Sequence, residues 1–445
     1  MVLFRTDTER SPMKVAGIIA EYNPFHNGHA YHIAETRRIT GADYVVIVMS
    51  GNFVQRGEPA IVDKYARTRM ALQNGADLVI ELPTAYSCGS AEYFATGAIR
   101  TLQSLGVVDV LSFGCETQDV TLLNTLADLY LHEPADFSAD LQTNLRQGMT
   151  YPQARAAATE RYLMSHDSIS EDMTTDQLHQ ILSSPNTILG IEYIKAIRKY
   201  GASFKPVVIP RLGCYHSEEL TEFASATAIR SHIFSHQPIC HDPAALKELA
   251  HQVPNDVYQI LSPRHDHMRA EDLSSALGYA LLANQNANLT QYMDLSPDLS
   301  DRILRHLSQY TGWDSFVDLI KTKQLTRSRI SRAMLHLLLQ IRSEQMETWQ
   351  KDGYVYYARA LGFHKKAAYL LGAIKKNSTV PFLTKLADSN DVIYTYYKDL
   401  DRDKIAHAYG LLKTDIFAAD LYETIAATCH GKEKTDEYRH GVIVL

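Results

Sequence analysis

Two histidines three residues apart, His26 and His29, with Gly28 between them, are the residues of this chain best suited to chemistry. In the first turn of a helix both imidazoles lie on one side, beside backbone N–H groups that lack partners inside the helix. Such a helix start attracts anions. Gly28, having no side chain, lets a nucleotide approach the backbone closely. Imidazoles aimed at an α-phosphate would hold the charge that grows there as pyrophosphate leaves, an electrostatic role rather than nucleophilic attack. The reaction class implied is adenylyl or nucleotidyl transfer. In a chain with 19 histidines, His-x-Gly-His arises readily by chance, so the motif takes its weight from what surrounds it.

The surroundings are those of a nucleotide-binding fold. An apolar run over 15–20 reaches a polar turn containing Pro24, and the turn opens onto a helical pattern. Strands are expected at 15–20, 44–49, 78–82, 107–113 and 206–209, with helices at 28–39, 64–73, 90–105, 186–198 and 225–234 and a largely helical stretch over 121–183. Continuous apolar strands suit a parallel sheet buried on both faces. The expected class is therefore α/β, a doubly wound parallel-sheet domain over 14–238, followed by a mainly helical domain over 239–445. Ligands bind beyond the carboxyl ends of such strands, which directs attention to segments 21–29, 50–64, 83–91 and 114–117.

Composition sets the outer limits. The 445 residues carry 45% hydrophobic and 21% charged side chains, ordinary proportions for a soluble globular protein. Five scattered cysteines without a Cys-x-x-Cys pair argue for a reducing cytoplasm and against a disulfide framework or zinc ribbon. No run approaches the length of a membrane span. Residues 1–13 are polar and aperiodic and read as a loose tail. A formal net charge of -7 means that any nucleic-acid contact must rest on a local basic patch.

Such a patch exists over 321–332, the densest basic stretch, where Arg329 and Arg332 share a helix face. A solvated charged face is the plainer reading of it. Tyr354, Tyr356 and Tyr357 have rings that could stack on bases or pack in a core. Ser225, Thr227 and Arg230 open a later helix and suit a second phosphate clamp, against the simpler alternative of an N-cap with a surface arginine. The loop after the second strand carries Gln55, Arg56 and Lys64, groups useful for closing over an acidic ligand. Gly114, directly after the fourth strand, has room for a base or ribose. There is neither a Gly-x-x-x-x-Gly-Lys phosphate loop nor a Gly-x-Gly-x-x-Gly fingerprint, and the short His265-Asp-His267 and Cys214-Tyr-His216 groups do not make a metal site.

The segment Tyr22-Asn-Pro-Phe-His-Asn-Gly-His29 resembles the nucleotidyltransferase superfamily that includes class I aminoacyl-tRNA synthetases. Together with Gln55-Arg-Gly-Glu-Pro59, Ala76-Asp-Leu-Val-Ile-Glu-Leu-Pro83, Phe113-Gly114, Asn186-Thr-Ile-Leu-Gly-Ile-Glu-Tyr193 and the basic helix over 326–339, it is similar to the tRNA(Met) cytidine acetate ligase family over nearly the whole chain after residue 13. The resemblance implies that acetate attacks ATP to give acetyl-adenylate, whose acetyl group passes to N4 of the wobble cytidine of elongator tRNA(Met). It implies an ATP site of Ile19, Glu21, Tyr22, Asn23, Pro24, Phe25, His26, Asn27, Gly28, His29, His32, Gly114, Asn186, Arg211 and Leu212, with Ser225, Thr227 and Arg230 as the second phosphate motif. His26 and His29 would be catalytic. The tRNA would meet Arg56, Lys64, Lys321, Lys323, Arg327, Arg329 and Arg332. Mg2+ is expected with ATP chemistry, although no acidic cluster declares a metal site. No Lys-Met-Ser-Lys-Ser loop is present, which counts against amino-acid charging, and no protein partner is inferred. Two alternatives stand beside this reading. A small-molecule adenylyltransferase would leave the basic helical domain without a role, and a non-catalytic tRNA-binding protein would have no use for the intact histidine pair.

Overall fold

Apolar, largely β-branched runs form the strands of one eight-stranded sheet. The computed structural model describes residues 13–166, 173–210 and 224–445. The expected tail up to residue 12, together with Arg211, Leu212 and the Cys214-Tyr-His216 group, lies outside the described residues. In chain order the strands are β1 (Val15–Ala20), β2 (Tyr44–Ser50), β3 (Phe53–Val54), β4 (Glu58–Pro59), β5 (Leu78–Leu82), β6 (Val110–Cys115), β7 (Lys205–Pro210), β8 (Ala358–Phe363), β9 (Phe382–Leu383) and β10 (Ile443–Val444). β3 and β4 make a separate antiparallel hairpin.

The five parallel strands run in the order β5, β2, β1, β6, β7. The chain builds outward from β1 through β2 to β5, then returns to β6 on the other side of β1. The reversal leaves a crevice beyond the carboxyl ends of β1 and β6, where doubly wound sheets bind ligands. Val45 to Met49 are completely buried in the middle of this sheet, in keeping with helices covering both faces.

Beyond residue 243 the described chain is mostly helical up to Lys351, and then it rejoins the sheet. β8 pairs antiparallel with β5, and β9 and β10 pair with β8. Sequence periodicity misses β8 because Ala-Arg-Ala-Leu-Gly-Phe is rich in good helix formers. Its pairing with β5 decides its state, as tertiary context commonly does for strands. Among the described residues no helix is long and apolar enough to cross a membrane.

Helix α1 (Asn27–Thr40) follows β1, and helix α2 (Lys64–Gln73) follows the hairpin. α2 is buried along most of its length and starts on Asp63, whose carboxylate accepts from the Ala66 N–H. Lys64, expected among the tRNA contacts, is 1% exposed. Its ammonium lies 2.5 Å from Glu81 and 2.6 Å from Glu437, and Arg359 on β8 bridges the same two carboxylates at 3.0 and 2.7 Å. Lys64 is therefore removed from the tRNA-facing set: it completes a buried quartet of two cations and two anions.

Candidate active site

The site begins where β1 ends. Tyr22 takes a left-handed backbone conformation, φ 51°, rare for a bulky residue. Its ring is held by burial and by contacts with Phe25 and His29, both at 4.8 Å between ring centres. This turn aims the start of α1 at the crevice.

His26 is the N-cap of α1. Its Nδ1 accepts from the Gly28 N–H at 3.1 Å, while the His29 Nδ1 accepts from the His26 N–H at 3.2 Å. The two rings stack with centres 3.7 Å apart. A neutral imidazole that accepts through Nδ1 carries its proton on Nε2. The reciprocal cap thus fixes both tautomers and gives two N–H donors without any need for protonation. A Cβ on Gly28 would meet the His26 ring at 2.9 Å, so the glycine makes room for the capping histidine as well as for a ligand. His32, one turn on, bonds through Nε2 to Ser112 on β6 at 3.0 Å and ties α1 to the strand across the crevice.

A cavity of about 270 Å³ opens in front of this pair. Of the residues that the resemblance places at the ATP site, Ile19, Glu21, Tyr22, Asn23, His26, Gly28, His29, His32, Gly114, Asn186, Ser225, Thr227 and Arg230 line it. Pro24, Phe25 and Asn27 do not. Phe25 is fully buried behind Tyr22 and His29, and the Asn27 amide donates to the His251 carbonyl. Arg56, assigned to tRNA, lines the cavity next to Gln55.

Four side chains support the wall. Arg67, fully buried on α2, donates to the carbonyls of Glu21, Ser50, Gly51 and Val62 and so clamps the ends of β1 and β2 together. Burial lowers its guanidinium to about 10, still charged at neutral pH. Arg230 reaches across from the helix Ala226–Ser235 to donate to the Asn23 carbonyl at 2.7 Å and pairs with Glu58 at 3.4 Å. Ser225 caps that helix by accepting from the Ala228 N–H, so the ordinary capping role is real while Ser225 also faces the cavity. Asn186 donates to Glu116 at 2.6 Å at the start of the helix Pro185–Lys199.

Several wall groups have hydrogen-bonding capacity to spare. Among the described residues the Tyr22 hydroxyl and the Asn23 side-chain amide nitrogen are buried with no hydrogen-bond partner, although the Asn23 Oδ1 accepts from the Ile61 N–H at 2.7 Å. Buried donors left unpaired at a cavity favour a polar ligand that accepts from them. Burial also pushes the Tyr22 phenol well above its ordinary range, so it stays a donor. Glu21 accepts from the Gln55 N–H at 2.8 Å and is the only carboxylate among the described residues lining the cavity. Burial raises its carboxyl against the pull of that N–H, Arg230 and Arg56. No group of three or more His, Cys, Asp or Glu among the described residues has the geometry of a metal site.

Sequence reasoning missed the apolar wall. Ile209 and Pro210 sit at the end of β7 and were within reach of the strand-end rule. Phe94, Leu189 and Tyr193 are helical and carry no signal that separates them from core. Tyr354, Tyr356 and Tyr357 are buried, so they pack in the core and do not stack on bases.

The basic stretch forms the helix Arg327–Leu338 and the turn before it. Lys321 and Lys323 are exposed, Arg329 is half-buried, and none of the three has a side-chain partner among the described residues. Arg327 is paired with Asp314 and Asp318, and Arg332 with Asp294 at 3.2 Å. The same helix touches the cavity's hairpin. A Cβ on Gly57, which has φ 78°, would lie 2.3 Å from the Arg332 backbone nitrogen. The turn carrying Gln55 and Arg56 therefore rests directly on the helix carrying Arg329.

Residues 13–437 match the family described as HIGH Nucleotidyl Transferase. A tRNA(Met) cytidine acetate ligase of Halothermothrix orenii is 38% identical over 419 residues, covering 93% of this chain and 95% of that one. A protein of the same name from Acetivibrio thermocellus is 35% identical over 435 residues, covering 97% and 100%. Among solved structures, apo TmcAL of Thermotoga maritima superposes with a TM-score of 0.87 at 29% identity, covering 97% of this chain and 100% of that one. The same protein bound with alpha-thio ATP gives 0.86 at 30% identity, with the same coverage.

Proposed function

The chain belongs to the HIGH Nucleotidyl Transferase family and, within it, to the tRNA(Met) cytidine acetate ligases, and on that premise we propose that it is an ATP-dependent ligase acting on acetate and elongator tRNA(Met). In the first step the acetate carboxylate attacks the α-phosphate of ATP, forming acetyl-adenylate and releasing pyrophosphate. In the second the acetyl group passes to N4 of the wobble cytidine, giving N4-acetylcytidine and AMP.

The observation that carries this reading is the capped histidine pair. His26 and His29 present Nε2–H donors at a helix N-terminus in the crevice where β1 and β6 diverge. Donors fixed in advance stabilise negative charge developing on the phosphate and need no reorganisation during reaction. Arg230, Ser225 and Thr227 on the opposite wall suit the departing phosphates. Ile19, Phe94, Leu189 and Tyr193 supply apolar surface suited to a nucleobase.

Pyrophosphate release from ATP by the purified protein tests the first step. Release is expected to depend on acetate, with labelled acetyl then appearing on elongator tRNA(Met). Release dependent on a different carboxylate would keep the fold's chemistry and overturn acetate, whereas tRNA binding with no turnover would overturn the ligase.

We infer that the tRNA meets the turn and helix beside the hairpin, a reading supported by the cations Lys321, Lys323 and Arg329, which have no side-chain partner among the described residues. Replacing Lys321, Lys323 and Arg329 with Ala is expected to weaken tRNA binding by at least tenfold at moderate salt. The slope of log affinity against log salt should fall by about 1 for each phosphate that is no longer neutralised. Unchanged affinity and slope would remove this helix from the tRNA site.

A further inference from the structure

The two steps proposed above differ in their need for a base. Acetate is already a carboxylate at neutral pH, so forming acetyl-adenylate requires no proton to leave the nucleophile. The second step does. The N4 nitrogen attacks the acetyl carbonyl carbon, the bond from that carbon to the phosphate oxygen breaks, AMP departs with the electron pair, and one N4 proton must be taken up.

Few cavity groups can take it. The Nδ1 atoms of His26 and His29 accept from backbone N–H groups, so their Nε2 atoms are proton-bearing donors. His32 is bound through Nε2 to Ser112, which in turn bonds Thr36 at 2.7 Å. Tyr22 and Tyr193 are buried phenols held protonated. Glu21 differs from all of these. It lies at the end of β1, lines the cavity, and has one oxygen fixed by the Gln55 N–H at 2.8 Å.

Resting on the two-step reading, we propose that Glu21 is the general base of acetyl transfer, accepting the N4 proton of cytidine on its carboxylate as the amine attacks the acetyl-adenylate. The hairpin that orients Glu21 through Gln55 is also the one seated on the basic helix through Gly57. The base is thus positioned by the element adjoining the RNA surface. The charged and titratable groups facing it are Arg230 on the opposite helix, Arg56 and Glu58 on the hairpin, Arg67 on α2 and Tyr193. Burial outweighs the arginines and raises the Glu21 carboxyl above the ordinary carboxylate range.

Glu21→Gln separates this role from support, because the amide oxygen can still accept from the Gln55 N–H. Acetyl-adenylate formation is followed by acetate-dependent ATP–pyrophosphate exchange, and transfer by mixing preloaded enzyme with unmodified elongator tRNA(Met) between pH 5 and 9. Transfer in the variant is expected to slow by about a hundredfold or more beyond any change in exchange. The wild-type transfer rate should rise with pH to a plateau, and the variant should lose that rise. Equal losses in exchange and transfer would overturn the proposal in favour of a support or phosphate-side role, and so would an unaltered pH profile. Absence of acetate-dependent exchange in the wild-type protein would instead overturn the two-step reading itself.

Discussion

His29→Ala is expected to lower acetate-dependent ATP–pyrophosphate exchange by about 10²–10³-fold, the usual consequence of removing one preorganised donor from a developing charge. The substitution also removes the acceptor for the His26 N–H, a capping contribution of about 1 kcal/mol. His29→Asn separates the two effects, since its amide oxygen can accept from that N–H while its donor falls short of where Nε2 stood. The asparagine variant should recover thermal stability and remain slow. The tRNA affinity of both variants should stay within about twofold of wild type, because none of the cations proposed to meet the RNA is touched. A rate within tenfold of wild type for His29→Ala would end the transition-state role. Parallel loss of tRNA affinity would point to misfolding at the turn.

The second large effect is on stability. Lys64→Met leaves Glu81 and Glu437 buried against a single cation, Arg359. Breaking a buried charge network from one side costs about 3–5 kcal/mol, which urea unfolding would register. Burial by itself would lower the Lys64 ammonium, yet Glu437 and Glu81 outweigh it and hold the group above the ordinary lysine range. The Glu437 carboxyl is correspondingly held below its ordinary value. Its contribution is present above the ordinary carboxylate range and is lost as the pH falls through its depressed folded value. The wild type should accordingly lose stability in acid more steeply than the variant. Adding Glu437→Gln to Lys64→Met should recover part of the loss by removing the uncompensated anion. If Lys64→Met instead kept full stability and weakened tRNA binding, Lys64 would be a surface contact after all.

Lys64 also shows where sequence reading reaches its limit. The parallel core was legible because its strands are continuous apolar runs and its helices carry clear start signals: β1, β5 and α2 fall where periodicity places them. The histidine pair was legible for the same reason, since a strand, a turn and a helix start fix its position locally. Lys64 was not. A lysine beside a glycine-flanked loop reads as solvated, and its partner Glu437 comes from the other end of the chain. Arg67 likewise looked like any helical arginine, because three of the four carbonyls it holds, those of Glu21, Ser50 and Gly51, lie at strand ends that meet it only in the folded state. β8 was hidden by good helix formers. Local signals recovered what is determined locally, and long-range ion pairs and strand pairings carried the rest.

The quartet that joins α2 to the end of the chain also has a bearing on the order of events during synthesis. Tyr65, beside Lys64, bonds Glu437 across 372 residues of sequence. A nascent chain that has already made β1, β2 and β5 still lacks part of the counter-charge for Lys64. The start of α2 cannot lose its water favourably until β8 brings Arg359 and the final segment brings Glu437. Arg67 sits one turn further along that helix and clamps the loops around the histidines. Closure of so distant a contact is slow, so the start of α2 and the crevice it braces are expected to order only once β8 and the segment carrying Glu437 have joined them.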